Sequence, residues 1–449
     1  MESVISDFLT STVFVFSLLI GASGLLILYF IKTFKQEAVI EKTKNEKSTV
    51  YSEKKKDLPQ AGKRKKKTVE NRWTGKHDKH SYSNPWLLVS LKGHTGNILD
   101  MDFSSNGKYM TSCDDAGAVF LWDTKDFSSK DRKSLRVNIE FDHATHVKWS
   151  PDSKAFIINK YNENAVEVYK VEKKKDGFLT ASKAFTFPKH HETDIVGMGI
   201  ASNGKFIITC SNKTDLVVWD LKGQKMAVLD TYLMNNTCAK ISPCGKFIVV
   251  SGFSPEAKVW EVFFNKSGEF QEVKPIKELT LGGHTSGVYD VGFDVDSSHM
   301  ATVSKDGSWH LYDTKVSYKQ GENARLLKSG QYEKSGNYAL IALSPNAEVV
   351  AIATANDVAL YSTWTTELDH KIENIYEGNI TAIMFDSTGK FLLTAGDKQI
   401  RVFHNVTGYK CGIVTAKEKL KEHVTSATKE RLEKLIKENQ AFLDNIVDK

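Results

Sequence analysis

His94, Ser112, Cys113, Asp114 and Asp115 fall within one stretch, GHTGNILDMDFSSNGKYMTSCDDAGAVFLWD, residues 93–123. These residue types support two kinds of chemistry. A serine or cysteine beside a histidine oriented by an acid is an activated nucleophile. Histidine with cysteine and carboxylate is a metal-ligand set. The same groups can also form a buried hydrogen-bond chain that only holds strands together. Spacing favours that third reading. His94 precedes Trp122 by 28 residues, His191 precedes Trp219 by 28, and His284 precedes Tyr312 by 28. A reactive centre is assembled once, whereas a bracing element recurs. HisAlaThrHis at 143–146 and His190-His191 hint at metal, but no cysteine or acid stands near them at ligand spacing. No P-loop, GxSxG or HExxH pattern occurs either. The reading is therefore of a protein with no enzyme activity, no metal and no cofactor.

The recurrence extends along the chain. SNGKYM at 105–110 returns as PDSKAF (151–156), SNGKFI (202–207), SPCGKFI (242–248), DSSHMA (296–301), SPNAEVV (344–350) and DSTGKFL (386–392). Each is followed by an aromatic: Trp122, Tyr169, Trp219, Trp260, Tyr312, Tyr361 and Phe403, separated by 47, 50, 41, 52, 49 and 42 residues. Asn and Gly accept the positive φ of a tight turn, and the apolar runs on both sides read as strands. A unit of about 40–45 residues holds four strands. One such sheet cannot bury both faces, but seven arranged radially can.

This pattern resembles the WD-repeat family over residues 86–410, through Gly93-His94, Gly283-His284, Trp122-Asp123 and Trp219-Asp220. The resemblance implies a seven-bladed all-β propeller. It also implies a buried network in each regular blade, joining His, a hydroxyl, a turn Asp and the aromatic. On this chain the members are His94, Ser112 and Trp122; His191 and Trp219; His284, Asp306 and Tyr312; and Asp397, whose blade lacks the His. In the first blade the position six residues before the aromatic is Ala116, and Asp115 is the expected acid. The segment 86–90, WLLVS, is expected to complete blade seven and leave no sheet edge open.

The flanks differ from this body. Residues 8–31 contain no charge over 24 positions, enough at ~1.5 Å per residue for a helix to cross a bilayer core of about 30 Å. The acidic start, with Glu2 and Asp7, and the length of the apolar run oppose a cleaved leader. Lys32 and Lys35 follow directly, which places the body in the cytosol and residues 1–7 in the lumen. Residues 32–85 hold sixteen Lys/Arg against seven Asp/Glu, although the whole chain is only +6. This linker contains Lys63, Arg64, Lys65, Lys66 and Lys67, which read as a solvated spacer or as a contact for anionic lipid or RNA. Five cysteines without a CxxC pair fit a reducing compartment. Residues 411–449 carry a helical stripe of Leu432, Leu435, Ile436, Phe442, Leu443 and Ile446.

The expected function is that of a membrane-bound platform for other proteins. Segments 141–157, 234–262 and 267–273 make a closer resemblance within the family. That likeness implies the endoplasmic reticulum membrane, the stress-sensing kinase PERK as partner in the unfolded protein response, and contact with RNA. The alternatives are a nucleotide-exchange factor for a small GTPase of the secretory pathway and an RNA-associated membrane protein. Oligomeric state is not legible in the sequence.

Overall fold

The computed structural model describes residues 82–447, apart from 126, 128, 130–132, 175–178, 337 and 423–424. The apolar segment 8–31, the basic linker as far as residue 81 and Lys63–Lys67 lie outside the described residues. Among the described residues no helix is long and apolar enough to cross a membrane.

Seven four-stranded antiparallel sheets make up the body. Blade one runs outward from Ile98–Phe103 through Tyr109–Asp114 and Ala118–Asp123 to Ser134–Asn138. In every blade the turn between the first two strands has one residue in the left-handed region. These are Gly107, Ser153, Gly204, Gly245, Ser297, Ala347 and Gly389. Glycine takes that conformation without a Cβ penalty; serine and alanine take it at some cost, which the surrounding strands must offset.

Each sheet buries its faces against its two neighbours. The apolar core is correspondingly divided into seven clusters, one per junction. Cys113, Val119 and Leu121 of blade one pack with Val147, Trp149 and Phe156 of blade two. At the closing junction Met101, Met110 and Trp122 of blade one pack with Leu393, Ile400 and Val402 of blade seven. The expected closure is present, with the strand starting one residue later and ending two residues later than expected. Leu87–Lys92 pairs antiparallel with Gln399–His404 and becomes the outer strand of blade seven. Trp86, just before it, stacks on His370 of blade six at 3.9 Å.

The innermost strands surround a cavity of about 500 Å³. Blades three and four approach so closely there that a Cβ on Gly197 would lie 2.6 Å from the Ala239 nitrogen. Carboxylates join other neighbours. Asp100 accepts from Val147 N (3.0 Å), Asp102 from Trp149 N (2.7 Å) and Asp290 from Ile341 N (3.0 Å).

The C-terminal helix is in fact two helices, α1 (Val406–Lys419) and α2 (Ser426–Val447). The first starts inside the range expected for the propeller. Gly408 and Gly412 weaken its helical signature, but they serve packing. Asn405 caps α1 by accepting from Gly408 N at 3.0 Å, and the α2 side chain Asn439 lies against Gly412. Phe442 of α2 stacks on Tyr409 of α1 at 4.0 Å.

Candidate functional site: the blade networks and the exposed loop face

Blade one holds the residues that raised the question of catalysis. Trp122 Nε1–H donates to Ser112 Oγ (2.8 Å), and His94 Nε2 lies 2.6 Å from the same oxygen. An indole N–H can only donate, so Ser112 accepts from Trp122 and gives its own proton to His94 Nε2. The His94 Nδ1–H then donates to Asp114 at 2.9 Å. This is a serine–histidine–aspartate chain, yet Ser112 and Asp114 are 0% exposed and the serine hydroxyl is engaged by both His94 and Trp122. It stitches the second and third strands to the incoming loop. Burial opposes ionisation of Asp114, but hydrogen bonds from His94 and from the Ala118 and Gly96 amides outweigh it and hold the carboxyl below its ordinary value.

Asp115 is not the network acid. It lies exposed in the turn and accepts from the Asn97 amide at 2.7 Å. The last residue of the second strand points into the blade, whereas the next one, in the turn, points outward.

In blade three His191 Nε2 is 2.7 Å from Thr209 Oγ1, which Trp219 also reaches at 2.8 Å, and His191 Nδ1 meets Asp215. In blade five His284 lies 2.7 Å from Thr302 Oγ1 and 3.3 Å from Asp306. Tyr312 stands in the tryptophan's place, and its OH donates to Gly282 O at 2.6 Å. Burial and the neighbouring His310 lower the His284 pKa to about 4. Asp306 is held at about 2, because bonds from Ser308 and the Thr285 amide outweigh its burial. In blade seven Asp397 accepts from the Glu377 and Gly378 amides at 2.9 and 3.1 Å. The missing histidine there is replaced by Tyr376, whose OH reaches Thr394 O at 2.7 Å.

Sequence spacing missed Asp114, Thr209, Asp215, Thr302 and Tyr376. The acids stand eight, four and six residues before their aromatics, at Asp114, Asp215 and Asp306. A carboxylate need only reach His Nδ1, and several positions around the hairpin turn do so. Blade two has a different network: buried Glu167 takes Lys183 at 2.5 Å, Tyr169 at 3.0 Å and Lys160 at 3.5 Å.

The central cavity is polar but internally paired. Lys148 bonds Asp100, and Lys240 bonds Asp290, each at 2.7 Å. Burial raises Asp102 to about 6. His143 stacks on Tyr161 at 4.8 Å and His190 lies edge-on to Trp219, so these two histidines of the suggestive pairs contact rings. No group of His, Cys, Asp or Glu able to hold a metal occurs among the described residues.

Strand alternation brings the second-to-third turns and the blade-to-blade connections to one end of every sheet. That face carries large apolar side chains. Phe141 is fully exposed, Tyr232 is 77% and Met234 72% exposed, and Tyr161, Phe253 and Tyr338 are partly so. Hydrogen bonds link its loops in sequence: Asn162 N to Asp142, Asn164 to Thr193 O, Asn212 N to Asp194 O, Asn236 N to Lys213 O and Phe253 N to Asn235 O. The helices α1 and α2 follow the third strand of blade seven and belong to the opposite end.

The WD domain, G-beta repeat description matches residues 85–123, 182–220, 274–313 and 370–404. Each segment contains the inner three strands of blade one, three, five or seven, with all or part of the outer strand of the blade before it, and these four blades hold the histidine networks or the tyrosine substitute. The chain is 41% identical over 389 residues to human transducin beta-like protein 2, covering 86% of this chain and 87% of that protein. It is 40% identical to the mouse protein over 388 residues, with the same coverage. The chain belongs to the WD-repeat family. A guanine nucleotide-binding protein subunit beta of potato is 19% identical over 330 residues, 70% of this chain and 82% of that one. The WD-repeat signature thus recurs in alternate blades, and the intervening blades close the ring with other side chains, such as Glu167 and Tyr169.

Proposed function

We propose that this protein is a non-catalytic scaffold of the endoplasmic reticulum membrane, with a single span at residues 8–31, a lumenal N-terminus and a cytosolic propeller that gathers protein partners. The observation that carries the reading is the linked row of exposed Phe141, Tyr161, Tyr232, Met234 and Phe253 on one face. Exposed aromatic and methionine side chains on a rigid frame favour protein association, because they gain apolar burial while losing little entropy. The hydroxyl–His–Asp chains support the non-enzymatic part, since Ser112, Thr209 and Thr302 are buried. The membrane, the reticulum and the kinase PERK enter through the uncharged segment, its basic flank and the closer resemblance. RNA contact at Lys63–Lys67 remains a subsidiary proposal.

Proximity labelling from the propeller in intact cells tests this. We expect cytosolic proteins, PERK among them, to be labelled, and the set to shrink when Tyr232, Met234 and Phe253 are changed together to serine. A lumenal protein set, or one unchanged by the triple substitution, would contradict the proposal. Faster nucleotide release from a secretory GTPase would favour the exchange-factor alternative.

A further inference from the structure

We propose that the sector of this face running from the blade one turn to the connection into blade three docks a basic peptide segment of a protein partner, with an apolar residue of that segment seated on Phe141 and Tyr161. The inference rests on the interaction reading above and specifies the partner's chemistry.

Phe141 lies on the connection from blade one to blade two. Its φ is 58°, a conformation disfavoured for a bulky side chain, and its ring projects wholly into solvent. The ring is not filling a core, and the fold holds it outward. Tyr161 stands on the adjoining turn, stacked on His143. The two loops are fastened together because the Asp142 carboxylate accepts from the Asn162 amide at 3.1 Å. Phe141 and Tyr161 are therefore presented on loops already fastened to each other, which lowers the ordering cost of binding.

Charge selects the occupant. The loops 115–117, 139–143, 161–164 and 187–194 carry exposed Asp115, Glu140, Glu163, Glu192 and Asp194, against Lys189 as their one basic residue. Glu163 is paired with Lys160 at 2.7 Å, so the uncompensated charge comes mostly from the other four. Further round the face the balance changes at Tyr232, where Lys258 Nζ lies 5.7 Å from the ring. The sector around Phe141 and Tyr161 therefore has a net acidic balance, with one lysine among five exposed acids. Such a field raises the local concentration of a cationic partner and speeds its capture. It repels an anionic bilayer.

The test uses the full-length protein in neutral detergent micelles. The probe is fluorescein-labelled Gly-Arg-Lys-Arg-Leu-Phe-Arg-Lys-Arg-Gly. One control replaces every Arg and Lys with Glu; another replaces Leu-Phe with Ser-Ser. We expect the basic peptide to bind, more weakly as salt rises, and the acidic control to bind at least about tenfold more weakly. Combined Glu140→Lys, Glu192→Lys and Asp194→Lys should weaken binding by about tenfold or more. Phe141→Ser should weaken it while leaving the salt dependence in place. All four positions are exposed, and unchanged thermal melting would show that the variants are folded. Equal binding of the basic and acidic peptides, or unchanged affinity in the folded charge-reversal variant, overturns the inference. So does binding to phosphatidylserine vesicles that depends on Phe141. A photo-crosslinking residue at Met234 reports on the broader reading separately. Proteins captured there, without selection of the basic peptide, would refute this inference and leave the scaffold standing.

Discussion

Asp114 and Asp115 are neighbours with opposite tasks, and the difference can be measured. Asp114 is buried, accepts from His94 and also takes the Ala118 amide at 2.7 Å. Removing it strands the histidine proton and that amide in the interior. Asp114→Ala should cost about 3–5 kcal/mol, and Asp115→Ala about 1 kcal/mol or less. Urea unfolding of the two variants checks this; equal costs would mean that the turn acid shares the bracing. The histidines also make the fold sensitive to acid. In the native state His284 titrates at about 4 rather than 6.5 because burial and His310 disfavour its charged form. The unfolded chain takes up that proton first, so the stabilisation is complete above about pH 6.5 and is lost as pH falls toward 4. Burial shifts His191 in the same direction. Asp306, held at about 2 against 3.8, adds a second loss below that window. His299, raised by Asp294, opposes both and loses its contribution as pH rises through its folded value. Melting temperature should fall between pH 7 and pH 4, and His284→Gln should remove part of that slope. An unaltered slope would exclude His284 as a source.

The blade is the level at which the sequence was most readable, and the reason is stereochemical. Each inner turn needs one left-handed residue, so Asn-Gly-Lys and its variants mark it, and the third strand carries a large buried aromatic. These constraints are local and repeat in all seven units. The network acids were less readable, because reaching His Nδ1 fixes no sequence offset. Tyr376 was hidden because a phenol replaces an imidazole, and α1 because its glycines suit a helix crossing better than a helix. Closure was legible through the resemblance, because a terminal strand completes the last blade in that family and WLLVS is the strand-like run that precedes the first repeat. It can be tested through Leu91, which is buried against Ile400 and Val402. Leu91→Ala should destabilise by about 2–4 kcal/mol, and it should do so for the ring as a whole. A single cooperative transition at lower denaturant is expected; a separate early transition would show that blade seven opens alone.

For the whole molecule, the burial of Asn405 links the fold to its glycosylation state. Five Asn-X-Ser/Thr triplets begin at Asn212, Asn235, Asn265, Asn379 and Asn405. Asn379 and Asn235 are exposed, but Asn405 is buried. The Asn405 side chain accepts from Gly408 N and donates to Gly389 O at 2.8 Å, joining α1 to the blade seven turn. A glycan attached there during synthesis would forbid both bonds and leave the first turn of α1 without its cap. The fold is thus compatible with a cytosolic body and penalised in a glycosylating compartment. The exposed acidic and aromatic loops could not have been foreseen from periodicity, since loop exposure has no period; this cap likewise gives a functional meaning to a residue that looked like an ordinary triplet. The native protein should show no mass shift on endoglycosidase treatment. If the segment 1–31 is exchanged for a cleavable secretory leader, the lumenal product should carry glycans and fold poorly. Asn405→Asp, which keeps a capping oxygen but cannot be glycosylated, should raise the yield of folded product. A native chain that loses mass on treatment would place the propeller in the lumen, and an unimproved yield from Asn405→Asp would show that the cap is not what glycosylation damages.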